Sequence, residues 1–337
     1  MIGISIYLSD PRAEERIIRA SALGIKQAFT SFHIPEEPAG QERIRQLLSL
    51  FHDEGFEVFA DVSRQTPEML GLTCFREMRS LGVTALRLDD GFSREDVEHL
   101  SHHFKLAINA STVRKEEVEE WLGMGIDPSA LIAWHNFYPR RETGISTAFF
   151  RSQQEMFDAF GIPVYAFVPG DEERRGPLFQ GLPTLEDHRH GDPFVHAAGL
   201  FHEGVSGVFI GDPGWSADLL HHLHELDADG IITLSYEGAG EVEGDYVLRP
   251  DPGRDVLRIM NTRTAAGVSP EACIERSPGA ITMDNDDYGR YRGEMGIVLH
   301  PLEADPSVNV MGWIHERHMP LLALLKPSQR IRFKKQM

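Results

Sequence analysis

Gly3-Ile-Ser-Ile-Tyr-Leu-Ser9 opens the chain with strict alternation: Ile4, Ile6 and Leu8 fall on one side, Ser5, Tyr7 and Ser9 on the other. A period of two predicts a strand with two unlike faces. Asp10-Pro11 follows, and an acidic cap before proline predicts a helix, here to about residue 22. The unit recurs seven more times, with strands predicted at 27–34, 57–63, 84–90, 105–111, 131–137, 163–168 and 207–212. Helical spacing lies between them, for instance at 42–54, 94–103, 116–124, 153–160 and 217–225. Eight such units predict an α/β fold, the (β/α)8 TIM barrel, whose members run near ~250 residues. An open doubly wound sheet alternates in the same way. The count of eight, and the lack of Gly-x-Gly-x-x-Gly after the first strand, favour the barrel.

After Asp227-Ala-Asp-Gly230 the pattern changes to short strands at 231–235, 246–248, 279–283, 296–299 and 308–311, divided by turn clusters. The only helical pattern among them is at 320–325. The expected division is a barrel at 1–229 and a smaller, mainly β domain at 230–337. The tail Arg330-Ile-Arg-Phe-Lys-Lys335 alternates like an edge strand and is read as structural.

A formal net charge of −19 opposes the broad basic surface that nucleic-acid binding needs, but not a local nest for a small anion. No apolar run approaches the ~20 residues of a membrane span, and the first residues lack the basic flank of a signal peptide, so no membrane partner and a cytoplasmic location are expected. Cys74 and Cys273 are too far apart in sequence to suggest a disulfide framework or a cysteine metal motif, and both are expected to be buried. Of His221, His222 and His224, only the first and last share a helical face, and Glu186-Asp-His-Arg-His190 is a single loop. No metal and no cofactor are expected.

In a barrel the apolar side of each strand is expected to face the helices, leaving the other side for the axis. That rule assigns Ser5, Tyr7, Ser9, Ser31, His33, Asp61, Arg87, Asp89, Asn109, Ser111 and His135 to the axis. Such an interior describes a catalytic mouth at the carboxyl ends of the strands. The plainer alternative pairs Arg87 with Asp89 in one buried ion pair. Leu131-Ile-Ala-Trp-His-Asn-Phe-Tyr-Pro-Arg-Arg-Glu-Thr-Gly144 runs from a buried strand into a cluster of donors and positive charge. This is chemistry for an anionic, hydroxylated ligand. A long loop follows the seventh strand at 169–191, and acidic residues recur at the strand ends: Glu36, Asp89, Asp171, Asp212. Paired carboxylates are what glycoside hydrolysis requires.

Several segments resemble the bacterial 6-phospho-N-acetylmuramidase family. They are Gly3-Ile-Ser-Ile-Tyr7, Phe29-Thr-Ser-Phe-His-Ile-Pro-Glu36, Leu86-Arg-Leu-Asp89, Asn109-Ala-Ser111, His135-Asn-Phe-Tyr-Pro-Arg140, Arg175-Gly-Pro177, Gly181-Leu-Pro-Thr-Leu-Glu186 and Asp284-Asn-Asp-Asp-Tyr-Gly-Arg-Tyr-Arg-Gly-Glu294. The resemblance implies a TIM-type barrel, a cyclophilin-like second domain, and cleavage of N-acetylmuramic acid 6-phosphate from N-acetylglucosamine inside the cell. On this basis Asp89 and Glu186 are the expected catalytic carboxylates, with Glu36, Asp171 and Asp212 in reserve. Arg87 beside Asp89 would favour its ionised form, while Glu186, on a loop that excludes water, would have the raised pKa of an acid. His135, Tyr138, Arg140 and Arg175 would take the phosphate and lactyl carboxylate. His33, Glu36, Arg87, Asn109 and Asn136 would line the sugar site, and Asn285, Tyr288 and Tyr291 would close over the mouth. A non-catalytic sugar-phosphate sensor and a peptidyl-prolyl isomerase are the alternative readings, and the sequence leaves the oligomeric state open.

Overall fold

A computed structural model describes residues 1–32, 40–88 and 91–336. The chain divides into two compact units, Met1–His224 and Glu225–Met337. In the first, eight parallel strands close into a barrel: β1 (Ile2–Ser5), β2 (Gln27–Ser31), β3 (Glu57–Val62), β4 (Val83–Leu88), β5 (Lys105–Asn109), β6 (Leu131–Trp134), β7 (Val164–Val168) and β8 (Gly207–Ile210). Each strand pairs with its successor, and β1 pairs with β8 through Ile2↔Val208. The connecting helices are α1 (Ala13–Ala22), α2 (Gln41–Asp53), α3 (Thr66–Met69), α4 (Arg94–Ser101), α5 (Lys115–Gly123), α6 (Thr147–Ala159), α7 (Pro193–His202) and α8 (Ala217–Asp229). The helix expected from Asp10-Pro11 begins only at Ala13: Asp10 Oδ1 accepts from the Arg12 N–H at 2.9 Å, forming a turn ahead of the helix instead of its cap. None of the described helices is long and apolar enough to cross a membrane.

The axis differs from the uniformly polar one expected. Phe29, Phe59, Trp134, Phe167 and Phe209 are buried, and rings from non-neighbouring strands meet there: Phe59 with Trp134 at 5.2 Å and Phe29 with Phe167 at 5.3 Å between centroids. Gly3 makes room for this layer, because a Cβ there would lie 2.1 Å from the Phe209 ring. Phe29 and Phe59 have the same parity as Ser31 and Asp61, two residues further along. The axial side is therefore aromatic towards the amino ends of the strands and polar towards their carboxyl ends.

The second unit is a seven-stranded, mainly antiparallel sheet. Its strands are β9 (Ile231–Glu237), β10 (Gly244–Val247), β11 (Val256–Arg258), β12 (Ala280–Asp284), β13 (Met295–Val298), β14 (Val308–Ile314) and β15 (Arg330–Lys335), in the order β10-β15-β9-β14-β12-β13-β11. The basic tail is thus not an edge strand. β15 lies between β9 and β10, with Ile331 and Phe333 buried, and its cations meet carboxylates: Arg332 bonds Asp245 and Glu225, and Lys335 bonds Glu241. The helical pattern expected at 320–325 belongs to a longer 3-10 stretch, Glu316–Leu324. Cys74 is exposed and Cys273 half-buried, so neither is the buried thiol expected.

Candidate active site

Strand register builds the polar layer at the carboxyl ends of the barrel strands. Ser31 pairs with Asp61 across β2 and β3, and Asp61 with Arg87 across β3 and β4. The Ser31 hydroxyl donates to Asp61 Oδ2 at 3.1 Å, and Arg87 Nη1 donates to Asp61 Oδ1 at 3.0 Å. The neighbour of Arg87 in β5 is Ala107, whose methyl leaves the guanidinium room to reach past that strand, where Nη2 donates to Asn136 Oδ1. Asp61 and Arg87 are 8% and 7% exposed, so this ion pair is buried and needs all of these bonds to offset its desolvation. Asp61 is the one carboxylate that the described strands bring to the axis at their carboxyl ends. It was assigned to the axis by parity, but its link to Arg87 needs the register between strands. Arg87 Nε is buried without a partner among the described residues.

His135 does not lie on the axis. The axial residues of its segment are Ile132, Trp134 and Asn136, so His135 points between strand and helix, its ring 4.9 Å from that of Phe150 on α6. Complete burial pushes its pKa down to about 3, so it is neutral. The Ser111 hydroxyl accepts from the Asn136 N–H (3.3 Å) and shares a hydrogen bond with His135 Nδ1 (3.0 Å). A neutral imidazole in this position is not the cation expected to take a phosphate.

Glu186 departs from expectation in the same physical sense. Its carboxylate accepts from the Glu142 N–H (2.9 Å), the Gly144 N–H (2.8 Å) and Arg189 Nε and Nη2 (both 2.6 Å). The Arg189 guanidinium and these amides hold its pKa down at about 2, the opposite of the raised value an acid needs. Gly144 permits the approach, since a Cβ there would be 2.6 Å from the Glu186 nitrogen. Arg189, 1% exposed, is the organiser of the loops at this end of the barrel. Its Nη1 also donates to the carbonyls of Tyr138 (3.0 Å) and Gly181 (3.2 Å), and its Nη2 to that of Arg140 (3.1 Å). Sequence reading missed this residue; the available signal was an arginine three positions after a carboxylate in a long loop.

Replacing Arg189 with methionine would leave these carbonyls and a carboxylate unpaired, and is expected to destabilise the protein by about 3 kcal/mol in denaturant titrations. The folded pKa of Glu186 is depressed below its ordinary 4.5. Its contribution is therefore fully present above about pH 4.5 and is lost as the pH falls towards about 2. Arg189→Met should weaken that acid dependence; an unchanged one would contradict the assignment.

The other predicted residues are placed as follows. Asn109 Oδ1 accepts from the Ser111 N–H (3.0 Å), and the Tyr138 N–H donates to the Pro183 carbonyl (2.9 Å). Arg140 is exposed. The Arg175 guanidinium lies 4.5 Å from the centre of the Tyr7 ring, whose hydroxyl donates to the Gly211 carbonyl. Asp212 is fully buried and holds the long loop by accepting from the N–H groups of Gly170, Arg175 and Leu182 at 3.0, 3.0 and 3.2 Å. Burial raises its pKa against those bonds. Asp171 accepts from the Ser216 amide and hydroxyl, just ahead of α8. His33, Glu36 and Asp89 lie outside the described residues. Among the described residues no group of three or more side chains is arranged to hold a metal ion.

In the second unit Asn285 is fully buried. Its amide nitrogen donates to the Pro306 carbonyl (2.8 Å) and Asn309 Oδ1 (2.9 Å), while its oxygen accepts from the Asp287 N–H (3.0 Å). These bonds make it a turn former within its own unit. Tyr288 is 41% exposed, and its ring stands edge-on to Tyr291 at 6.0 Å.

Two family models match the chain: "6-phospho-N-acetylmuramidase, N-terminal" over residues 2–225 and "6-phospho-N-acetylmuramidase, C-terminal" over residues 231–334. Among solved structures, a conserved protein of unknown function from Enterococcus faecalis is 35% identical, covering 100% of this chain and 96% of its own, with a TM-score of 0.86. An uncharacterized B. cereus protein is 24% identical over 99% of both chains, with a TM-score of 0.79, a likeness of fold. No curated protein matches the chain.

Proposed function

The chain belongs to the 6-phospho-N-acetylmuramidase family, and on that premise we propose that it is a cytoplasmic glycoside hydrolase that releases N-acetylmuramic acid 6-phosphate from N-acetylglucosamine in a cell-wall disaccharide, a step of peptidoglycan recycling. The observation that carries the reading is the match of both family domains across nearly the whole chain. The buried Asp61–Arg87–Asn136 array at the barrel mouth supports it, since costly buried polar groups at the carboxyl ends of barrel strands are where such enzymes do chemistry.

In this reading Asp89, two positions after Arg87, is the carboxylate on which turnover rests. Glu186 is an ionised brace of the mouth and not the proton donor, because four donors stabilise its charged form. The substrate's 2-acetamido carbonyl then supplies the nucleophile, with Asp89 orienting it. The carbonyl oxygen bonds to C1 as the bond between C1 and the leaving oxygen breaks; water then adds at C1, breaking the carbonyl oxygen–C1 bond, and the proton it gives up balances the one gained by the leaving oxygen. Arg140 and Arg175 take the phosphate and lactyl carboxylate, for which planar guanidinium forks are suited. Arg87, Asn109 and Asn136 hold sugar hydroxyls, with His33 and Glu36 as further members of that set, and Tyr138 edges the site.

Incubation with the phosphorylated disaccharide, its unphosphorylated form and a proline peptide separates this reading from a sensor and from an isomerase. Multiple turnovers of the first substrate are expected. Binding without turnover would favour the sensor, and catalysed isomerisation of the peptide alone would favour the isomerase.

A further inference from the structure

The second unit contains a cavity of about 370 Å³ whose lining includes Arg276, Thr282, Asp284, Tyr288, Glu294 and Gly296. Gly296 keeps its wall thin: a Cβ there would sit 2.6 Å from Val256 Cγ1 and 3.4 Å from Thr282 Oγ1. The charged groups differ in how far they are engaged. Glu294 is buried and held by Arg263, with Arg258 3.8 Å away. Asp284, half-buried at the end of β12, has no hydrogen-bond donor on its carboxylate among the described residues. Burial, then the nearby Glu294 and Asp305, push its pKa up to about 6. Arg276 Nε and Nη2 both donate to the Glu303 carbonyl, at 3.0 and 2.8 Å, which fixes the guanidinium beside the cavity and leaves Nη1 available. The Tyr291 ring has Arg263 and Arg290 at 4.4 and 4.8 Å from its centre, whereas no cation lies over the exposed Tyr288 ring among the described residues.

An acceptor lacking a donor, a fixed donor and an aromatic face thus meet in one cavity. A sugar hydroxyl both donates and accepts, and the C–H face of a pyranose packs on an aromatic ring. An anion would meet Asp284 and Glu294; a cation would meet the guanidiniums of Arg258 and Arg276. We propose that this cavity binds an uncharged saccharide ring, with its face on Tyr288 and its hydroxyls donating to Asp284 and accepting from Arg276. The proposal rests on the family reading for its probe alone, N-acetylglucosamine, the uncharged half of the disaccharide.

The test uses the full chain with its seven tyrosines isotopically labelled and the Tyr288 signal assigned through Tyr288→Phe. Titration with N-acetylglucosamine should shift the Tyr288 and Tyr291 ring signals saturably, and inorganic phosphate or a proline peptide should not. Asp284→Asn, which keeps the shape of the side chain, should weaken binding at least ~10-fold, as should Tyr288→Ala at an exposed position, neither with a lowered melting temperature. No saturable shift with the sugar, the same shift with phosphate or peptide, or undiminished binding by both variants would overturn the proposal. Hydrolysis of the disaccharide is measured on the same preparation. Cleavage without the tyrosine shifts removes this site and leaves the enzyme, while shifts without cleavage do the reverse.

Discussion

Asp89→Asn should leave a folded protein that binds the phosphorylated disaccharide but turns it over at least ~10³-fold more slowly, the scale of losing a group that acts in the transition state. The expectation of a folded variant follows from the partners of Arg87. Were Asp89 its sole counter-ion, removing the carboxylate charge would strand a buried guanidinium. Arg87 is instead engaged by Asp61 through Nη1 and by Asn136 through Nη2. The structural cost should therefore fall on Asp61→Asn, which leaves the guanidinium without its buried counter-charge and is expected to cost about 3–5 kcal/mol in denaturant titration. The pair of variants separates chemistry from folding. Near-normal kcat in Asp89→Asn would move the catalytic role to another carboxylate, and an unfolded Asp89→Asn would make Asp89 structural.

The unphosphorylated disaccharide should have a kcat/KM lower by roughly a hundredfold or more, since two charge-assisted hydrogen bonds at about 1.5–3 kcal/mol each would be lost. With His135 buried and neutral, the anion falls to the arginines, and Arg175 is the better placed of those predicted. Its backbone is pinned by Asp212 and its guanidinium stacks on Tyr7 at the end of β1. Arg175→Lys keeps a charge but loses the planar fork and the stacking, so it should lose part of the preference for the phosphorylated substrate. Equal kcat/KM on both disaccharides would remove the phosphate from the account.

Alternation made the barrel legible: each of the eight predicted strands occurs, although β1, β6 and β8 are only four residues long. Parity also placed Ser5, Ser31, Asp61, Arg87 and Asn109 correctly. It failed at His135 because Leu131-Ile-Ala-Trp134 is apolar on both sides, so its alternation has no readable phase. The aromatic layer escaped for a different reason: Phe29 and Phe59 share the axial side with Ser31 and Asp61, and a two-residue period distinguishes sides but not depth along the axis. The charge state of Glu186 depended on Arg189, whose partners lie on segments that only the fold brings together. In the second unit β15 looked like an edge because three of its cations alternate outwards. Of these, Arg332 meets Glu225 and Asp245, and the adjacent Lys335 meets Glu241, carboxylates 87 to 107 positions away.

The most direct measurement is mass spectrometry of the phosphorylated disaccharide after incubation with the protein in ¹⁸O-labelled water. Hydrolysis at the glycosidic bond predicts two monosaccharides, with the label on the phosphorylated muramic acid at C1 and none on the released N-acetylglucosamine beyond that in an enzyme-free control. An intact disaccharide, loss of phosphate alone, or label on the N-acetylglucosamine would contradict it.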